Sequence, residues 1–499
     1  MSPTPLYQAQ TSLRPCRRPS SETTEETSST IQLPKPNVPT SGTLRIFSWN
    51  VNGIAPFIER RTQKIITAFF KSTSASPTGK ASEGPAGRKR KRSNGGTVLS
   101  DSDSHKQGYN DKWQGAKFRE GDLSTSRNAS LRLIMQSYGW PQVLCLQEVK
   151  IRDGDTRTMD AMRLAVNDPI GHPEDDRSQQ DQADKALGNI LTDGGPLYDV
   201  DFSLPSDPYN ARGFGGKVYG VATVIQRVFT QKYVTAARGL SWDREGQVHV
   251  IETGDLAFPL LSGTRIDPRI PSSSSSKEHA SIASSTVKAG SRYTALKMAI
   301  LNIYAVNGTT NPYNDTHTGT MAGTRHDRKL AFHYDLLREA KTLEARGFRV
   351  ILAGDMNVAR DERDGHPRLR TWPRQHVRNR EDFEDKFFSS IAIRALGVPA
   401  EVRRAMYDLG DGSVVNREED VSGFDGIDTF RYLHGDERRY SYHPRGVDWG
   451  SSCDRVDMVI ASRALEEMVA GAGICDSLRD RGPSDHCPVW VEIGHTGTE

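Results

Sequence analysis

Val350-Ile351-Leu352-Ala353-Gly354-Asp355-Met356-Asn357 is an apolar run that stops abruptly at an acid and an amide. Such a run reads as an interior strand, and burying the following Asp and Asn unpaired would cost several kcal/mol, so the chain must deliver them to an edge. Alone, the segment suits a turn equally well, because Asx side chains bond their own backbone two residues on. The pattern recurs, however, at Ser48-Trp49-Asn50-Val51-Asn52-Gly53, Leu146-Gln147-Glu148 and Ser484-Asp485-His486. Several strand ends bearing Asp, Glu, Asn and His can converge on one crevice, hold a hard cation and cleave a phosphate ester.

Outward from these segments, Leu44 to Val51 and Pro141 to Leu146 read as strands. Further strands are expected at Tyr219 to Gln226, Ala295 to Val306, Phe348 to Ala353, Val456 to Ala461 and Val489 to Ile493. Helical spacing marks Phe57 to Phe70, Leu131 to Tyr138 and His326 to Arg346, the last with Leu330, His333, Leu336, Leu337 and Leu343 at near-helical intervals. Interleaved strands and helices around one core predict a single α/β domain over 43–495.

Residues 1–42 are rich in Ser, Thr and Pro without hydrophobic period and are expected to form a disordered tail; Glu22, Glu25 and Glu26 argue against a transit peptide. Polar inserts near 71–130, 167–195 and 262–291 are expected to be disordered as well. The first contains Arg88-Lys89-Arg90-Lys91-Arg92, which reads as a nuclear localisation signal, a nucleic-acid patch or a solvated charge run.

Composition constrains function less than the motifs do. The 499 residues carry a net charge of +3, which neither demands nor excludes a polyanionic partner. Five cysteines without a CxxC pair favour a reducing, intracellular setting. No apolar run approaches the roughly 18 residues of a membrane span, so no membrane partner is expected. A monomer is expected.

Trp49-Asn50-Val51-Asn52-Gly53, Leu146-Gln147-Glu148-Val149-Lys150, Gly354-Asp355-Met356-Asn357-Val358-Ala359, Asp428-Thr429-Phe430-Arg431, Arg455-Val456-Asp457 and Ser484-Asp485-His486-Cys487-Pro488 follow one another in a resembling order and spacing. Together they resemble the exonuclease III family of AP endonucleases, within the endonuclease/exonuclease/phosphatase superfamily. The likeness runs from about Leu44 to Ile493, interrupted by the three inserts. It implies a four-layered α/β sandwich: two packed mixed β-sheets flanked by helices, with a site at one sheet edge.

The resemblance also implies roles. Glu148 would be the main Mg²⁺ ligand, with Mn²⁺ as a substitute ion, and Asn50, Asn52, Asp355, Asn357, Asp485 and His486 would complete or border the metal set. Asp355 would orient or deprotonate the attacking water, and Asn357 would hold the developing charge. His486, braced by Asp457, would contact a phosphate oxygen. Tyr304 matches the family's active-site tyrosine, while Asn307 and Tyr442 would contact substrate. The chain departs from the pattern at Val306, where the family has Pro, at the long polar stretch from Thr309 to Thr324, and at Asn52, an Asp in many eukaryotic members.

The expected function is Mg²⁺-dependent cleavage of double-stranded DNA 5′ to abasic sites, with 3′-5′ exonuclease or 3′-phosphodiesterase activity, in base excision repair. Lys150 and Asp428-Thr429-Phe430-Arg431 favour this branch over relatives acting on inositol phosphates or RNA. A non-catalytic nucleic-acid-binding relative is the reading from a different class. Nuclear residence rests on Arg88 to Arg92 alone.

Overall fold

Along Leu44–Asn50 the side chains alternate between two apolar clusters, Leu44 and Ile46 entering one and Phe47 and Trp49 the other. A strand buried on both faces needs layers above and below it, and here Arg45 is only half-buried while Ser48 and Asn50 lead the inward face toward the sheet edge. The computed structural model describes residues 43–58, 130–168, 193–211, 218–259, 293–393 and 421–494. The expected tail, nearly all of the insert near 71–130 with Arg88 to Arg92, the 262–291 insert, and most of the Phe57 to Phe70 and 167–195 stretches lie outside these described residues.

Twelve strands build two mixed sheets. In chain order they are β1 (Leu44–Asn50), β2 (Val143–Gln147), β3 (Tyr198–Ser203), β4 (Val221–Gln226), β5 (Val234–Gly239), β6 (Val248–Pro259), β7 (Tyr293–Tyr304), β8 (Phe348–Asp355), β9 (Gly426–Asp428), β10 (Asp457–Ser462), β11 (Val469–Ile474) and β12 (Val489–Ile493). The first sheet runs β11-β12-β1-β2-β4-β3 and the second β9-β10-β8-β7-β6-β5. Only β1 with β2, and β7 with β8, pair in parallel; the other neighbours are antiparallel.

Three apolar layers follow from the alternation. Leu44, Ile46, Val143 and Cys145 of the first sheet meet Met298, Ile300, Ile351 and Val459 of the second between the sheets. The outer face of the second sheet is covered by Phe332, Leu336 and Leu337 of helix α3 (Arg325–Ala345) and Phe383 and Phe387 of α4 (Gln375–Phe387), after α1 (Leu131–Ser137) and α2 (Thr156–Val166) have covered the first sheet with Leu131, Met135 and Met162. The result is helix, sheet, sheet, helix, the four-layered sandwich. Among the described residues no helix is long and apolar enough to cross a membrane.

Element boundaries fall within a few residues of the sequence expectation for seven strands and for α1 and α3. β3, β5, β6, β9, β11, α2 and α4 were not legible. β6 shifts register between Glu252 and Asp255, which breaks its period, and α4 buries Phe383 and Phe387 with otherwise polar neighbours. The end of the 167–195 stretch is built into the fold: Asp193 pairs with the fully buried Arg132, whose guanidinium lies 4.4 Å from the Trp140 ring.

At the strand ends bearing the acids, a buried ion network ties three segments together. Arg455 Nε and Nη2 donate to Asp364 at 2.7 and 3.1 Å, and Nη1 and Nη2 donate to Asp428 at 3.2 and 2.7 Å. Although burial would raise the Asp428 carboxyl, Arg455 and then Arg360 hold it well below the usual range. Asp428 also caps a short helix, α5 (Thr429–His434), through the Arg431 N–H, so the Asp428-Thr429-Phe430-Arg431 motif acts here as a structural clamp. Arg455→Met would leave Asp364 with Arg431 and Asp428 with Arg360 as their remaining cations, and it is expected to lower the unfolding free energy by about 3 kcal/mol, the lower end for a broken buried pair. Urea denaturation reads this; a loss under about 1 kcal/mol, the scale of exposed pairs, would show that water relieves the site.

Candidate active site

The site is the last row of the inter-sheet core. On β1 the inward positions are Leu44, Ile46, Ser48 and then Asn50; on β8 they are Ile351, Ala353 and then Asp355; on β10, entered from the other end, Ala461 and Val459 lead back to Asp457. Asp355 lies in register with Asp457 on one side and Tyr304 on the other, so the three stand in a line across the second sheet. Asn50 faces them from the first sheet, and its Nδ2 donates to Asp355 Oδ2 at 3.0 Å and to Glu148 Oε1 at 3.1 Å. A single amide therefore bridges both sheets and two carboxylates.

Sharp backbone turns deliver the rest. Asn52, Glu148 and Asn357 have φ of 50°, 49° and 51°, left-handed values uncommon for non-glycine residues and typical of functional sites. In extended register Glu148 would point to the opposite face from Gln147; the turn brings its carboxylate back to Asn50. The Asx turns that sequence reading weighed as an alternative are also present: Asn52 N donates to Asn50 Oδ1 at 3.0 Å, and Asn357 N to Asp355 Oδ1 at 2.9 Å. They fix each side chain through one oxygen and leave the other polar atom for the crevice. At Gly354 a Cβ would lie 1.8 Å from the Ile303 carbonyl oxygen, so only glycine lets β8 bring Asp355 beside Tyr304.

His486 Nδ1 is 2.7 Å from Asp457 Oδ2, which sets the tautomer and leaves Nε2 aimed into the row, 3.9 Å from Asp355 Oδ2. Burial alone would lower the imidazole, yet Asp457 and then Asp355 raise it to about 10. Burial, followed by repulsion from Asp457, raises the Asp355 carboxyl to about 7. The Tyr304 phenol is pushed well above its ordinary value by burial and by Glu148, so it stays a neutral donor. Asp485 Oδ1 accepts from Asn52 Nδ2 at 2.8 Å, and Lys150 Nζ lies 3.0 Å from Glu148 Oε2 and also bonds Asn52.

Of the sequence-derived set, Asn50, Asn52, Glu148, Tyr304, Asp355, Asn357, Asp457, Asp485 and His486 thus occupy one crevice. Tyr442 joins them, its ring 4.9 Å from the His486 ring and its backbone bridged to His486. Asn307 lines a polar cavity of about 200 Å³ with Tyr219, Tyr304, Asn311 and Arg325, and Tyr304 joins that cavity to Glu148. Val306, where a Pro was expected, is fully buried in the outer core.

Two supporting groups were missed. Ser484 Oγ donates to the Asn50 carbonyl at 2.5 Å and accepts from His486 N at 3.0 Å, locking those two segments together. Lys329, fully buried on α3, donates to the carbonyls of Val306, Met356 and Asn357 at 2.9, 3.2 and 2.9 Å, and burial lowers its ammonium to about 7. No sequence signal separates Lys329 from a solvated helix lysine.

The donor set suits a hard divalent cation. Its available atoms are carboxylate and amide oxygens, and four acids, Glu148, Asp355, Asp457 and Asp485, face two cationic groups, Lys150 and His486. Asp355, Asp457 and His486 each place a ligand atom within 4.8 Å of the others. Because His486 and Asp457 are bound to one another, and Asn50 turns its Nδ2 to the carboxylates while its Oδ1 accepts from Asn52 N, Glu148, Asp355 and Asp485 are the better placed ligands and Asn50 positions them.

The family described as Endonuclease/Exonuclease/phosphatase matches residues 47–486, and the chain belongs to it. No curated protein matches the sequence. Among solved structures, the chain is similar to the AP endonuclease LMAP from Leishmania major, at 14% identity and a TM-score of 0.45 over 91% of this chain and 89% of that one. It is also similar to the Xenopus laevis APE2 catalytic domain, at 15% identity and 0.38 over 91% and 94%, and to an AP endonuclease from Archaeoglobus fulgidus, at 15% and 0.38 over 90% and 98%.

The His486 pair supplies a test of the site's electrostatics. In Asp457→Asn protein the imidazole is expected to titrate well below about 10, back toward 6.5, by histidine NMR without added metal. A folded value above the unfolded one stabilises fully below pH 6.5 and is lost as pH rises through about 10. The stability gap between wild type and variant is therefore expected to close over that window; a gap independent of pH would contradict the charged pair.

Proposed function

We propose that this chain is a divalent-metal-dependent DNA phosphodiesterase that nicks duplex DNA 5′ to abasic sites and trims 3′ ends, in base excision repair. The observation that carries the reading is the Asn50 amide joining Glu148 to Asp355 across the two sheets, beside the His486–Asp457 pair. This is an arrangement for attacking a phosphodiester, in which each group has a separate task.

Asp355 is held near neutrality by burial and by Asp457, so it can take a proton from an attacking water at working pH. His486 carries its charge on a ring whose Nδ1 is already committed, so Nε2–H is the donor offered to a non-bridging phosphate oxygen. Asn357 Nδ2 donates to the Ala305 carbonyl at 2.8 Å and, over a long 3.4 Å contact, to Asp355 Oδ2, so the amide is fixed at the edge of the crevice where the N–H now on Asp355 can turn to charge developing on the phosphorus oxygens. Tyr304, neutral and buried, adds a hydroxyl donor beside Glu148. Mg²⁺ or Mn²⁺ held by Glu148 with Asp355 and Asp485 at its margin would supply counter-charge to the scissile phosphate and the leaving oxygen, with the Asn50 amide holding Glu148 and Asp355 in place.

Two features suit a sugar-phosphate backbone. Lys150 stands at the Glu148 edge of the crevice, and the cavity beside Tyr304 and Asn307, about 200 Å³, has room for a sugar or phosphate but not for a stacked base pair. A duplex with one tetrahydrofuran abasic analogue is expected to be nicked in Mg²⁺ and left intact in EDTA. Glu148→Ala and Asp355→Ala are each expected to lower kcat by about 10²–10⁴-fold. Undiminished cleavage by either variant contradicts the mechanism, and turnover of inositol phosphates without abasic cleavage contradicts the substrate.

A further inference from the structure

Between His366 and Arg380 the chain holds Arg368, Arg370, Arg374, Arg378 and Arg380 and no acid. In their midst Trp372 is 79% exposed, the most open large apolar side chain among the described residues. Arg368, Arg374 and Arg378 are exposed too, and among the described residues no acid pairs with them. An indole in water beside unpaired guanidiniums gains nothing from its own fold, and interleaved aromatic and cationic side chains suit stacked bases and phosphates.

The position of this loop ties it to the chemistry. Gly365 and His366 pair with Asp454 and Cys453, Asp454 pairs with Tyr442, and Tyr442 with His486, so a backbone ladder runs from the loop's base to the crevice. Arg370 reaches Asp454 at 2.9 Å. Arg380 donates to the carbonyls of Ala359 at 2.7 Å and Arg370 at 3.0 Å, pinning the loop to the segment that follows Asp355 and Asn357. The loop is thus a fixed rim of the site.

We propose that the 366–374 loop is a nucleic-acid platform: Trp372 stacks on an unpaired base of the strand flanking the scissile phosphate, while Arg368, Arg374 and Arg378 contact its phosphates. This deepens, and rests on, the DNA reading of the crevice. Stacking gives affinity without sequence preference, and it favours strands whose bases are already unpaired, such as those beside a gap or lesion.

Binding of a fluorescent duplex with a one-nucleotide gap beside the abasic analogue, measured in EDTA, tests the proposal without cleavage. Trp372→Ala is expected to weaken binding about tenfold, Trp372→Phe to restore it to within about twofold, and Arg374→Gln to reduce the salt slope by about one. Unchanged thermal midpoints would confirm that these surface variants fold. Equal Kd for wild type and Trp372→Ala overturns the proposal. So does a Trp372→Ala defect confined to phosphatidylserine vesicles, which would make the loop a membrane contact. Failure of the loop alone appears as nicking by wild type with Trp372→Ala binding unimpaired. Failure of the reaction reading alone appears as Trp372-dependent binding without nicking. A wild type that neither binds nor nicks overturns both.

Discussion

The Asn50 amide sets the terms for the rest of the crevice. Its Nδ2 meets Glu148 from its own sheet and Asp355 from the facing one, so those carboxylates can share a site only if the two sheets are stacked in one alignment. That alignment is not imposed by apolar packing alone, which tolerates sliding. Polar contacts in the inter-sheet layer fix it: Gln147 Nε2 donates to Ser48 Oγ at 3.0 Å and to Asn302 Oδ1 at 2.8 Å, and Asn302 Nδ2 reaches the Ala222 carbonyl at 2.9 Å. Buried groups of this kind are costly when mispaired, so they penalise every other register.

Around that bridge the charges are arranged against their own comfort. Asp355 and Asp457 stand side by side in the sheet with little solvent, which burial would not tolerate unless His486 lay against them. The compensation is incomplete, because Glu148 and Asp485 add further negative charge to the same crevice. A site that is short of positive charge and lined by oxygens binds a hard cation and, with it, a phosphate. The buried Arg455 network does the opposite a few residues away: fully paired, it is built for rigidity and holds β10 where Asp457 must be.

Much of this was legible in sequence because the fold and the site are written in one pattern. Strands such as Val143–Gln147 and Phe348–Asp355 are buried on both faces and end at polar residues, so one reading yields both the sandwich and the residues at its rim. Other parts were hidden for physical reasons. Lys329 and Arg132 are buried by tertiary partners that no local period announces. The bulged β6 and the polar α4 carry too few core residues in sequence to stand out. The Arg368 to Arg380 stretch went unread in the sequence, because its relation to the crevice depends on pairing of its base with Asp454, some ninety residues on, which only the fold supplies.

The central claim is that separate strand ends form one catalytic unit. The most direct measurement is a double-mutant cycle on abasic-duplex cleavage with Glu148→Ala, Asp355→Ala and the double variant, read as kcat/KM. Residues acting in one unit are strongly non-additive, so the double variant is predicted to be within a few-fold of the worse single variant. Losses that multiply, as for independent sites, would contradict the account.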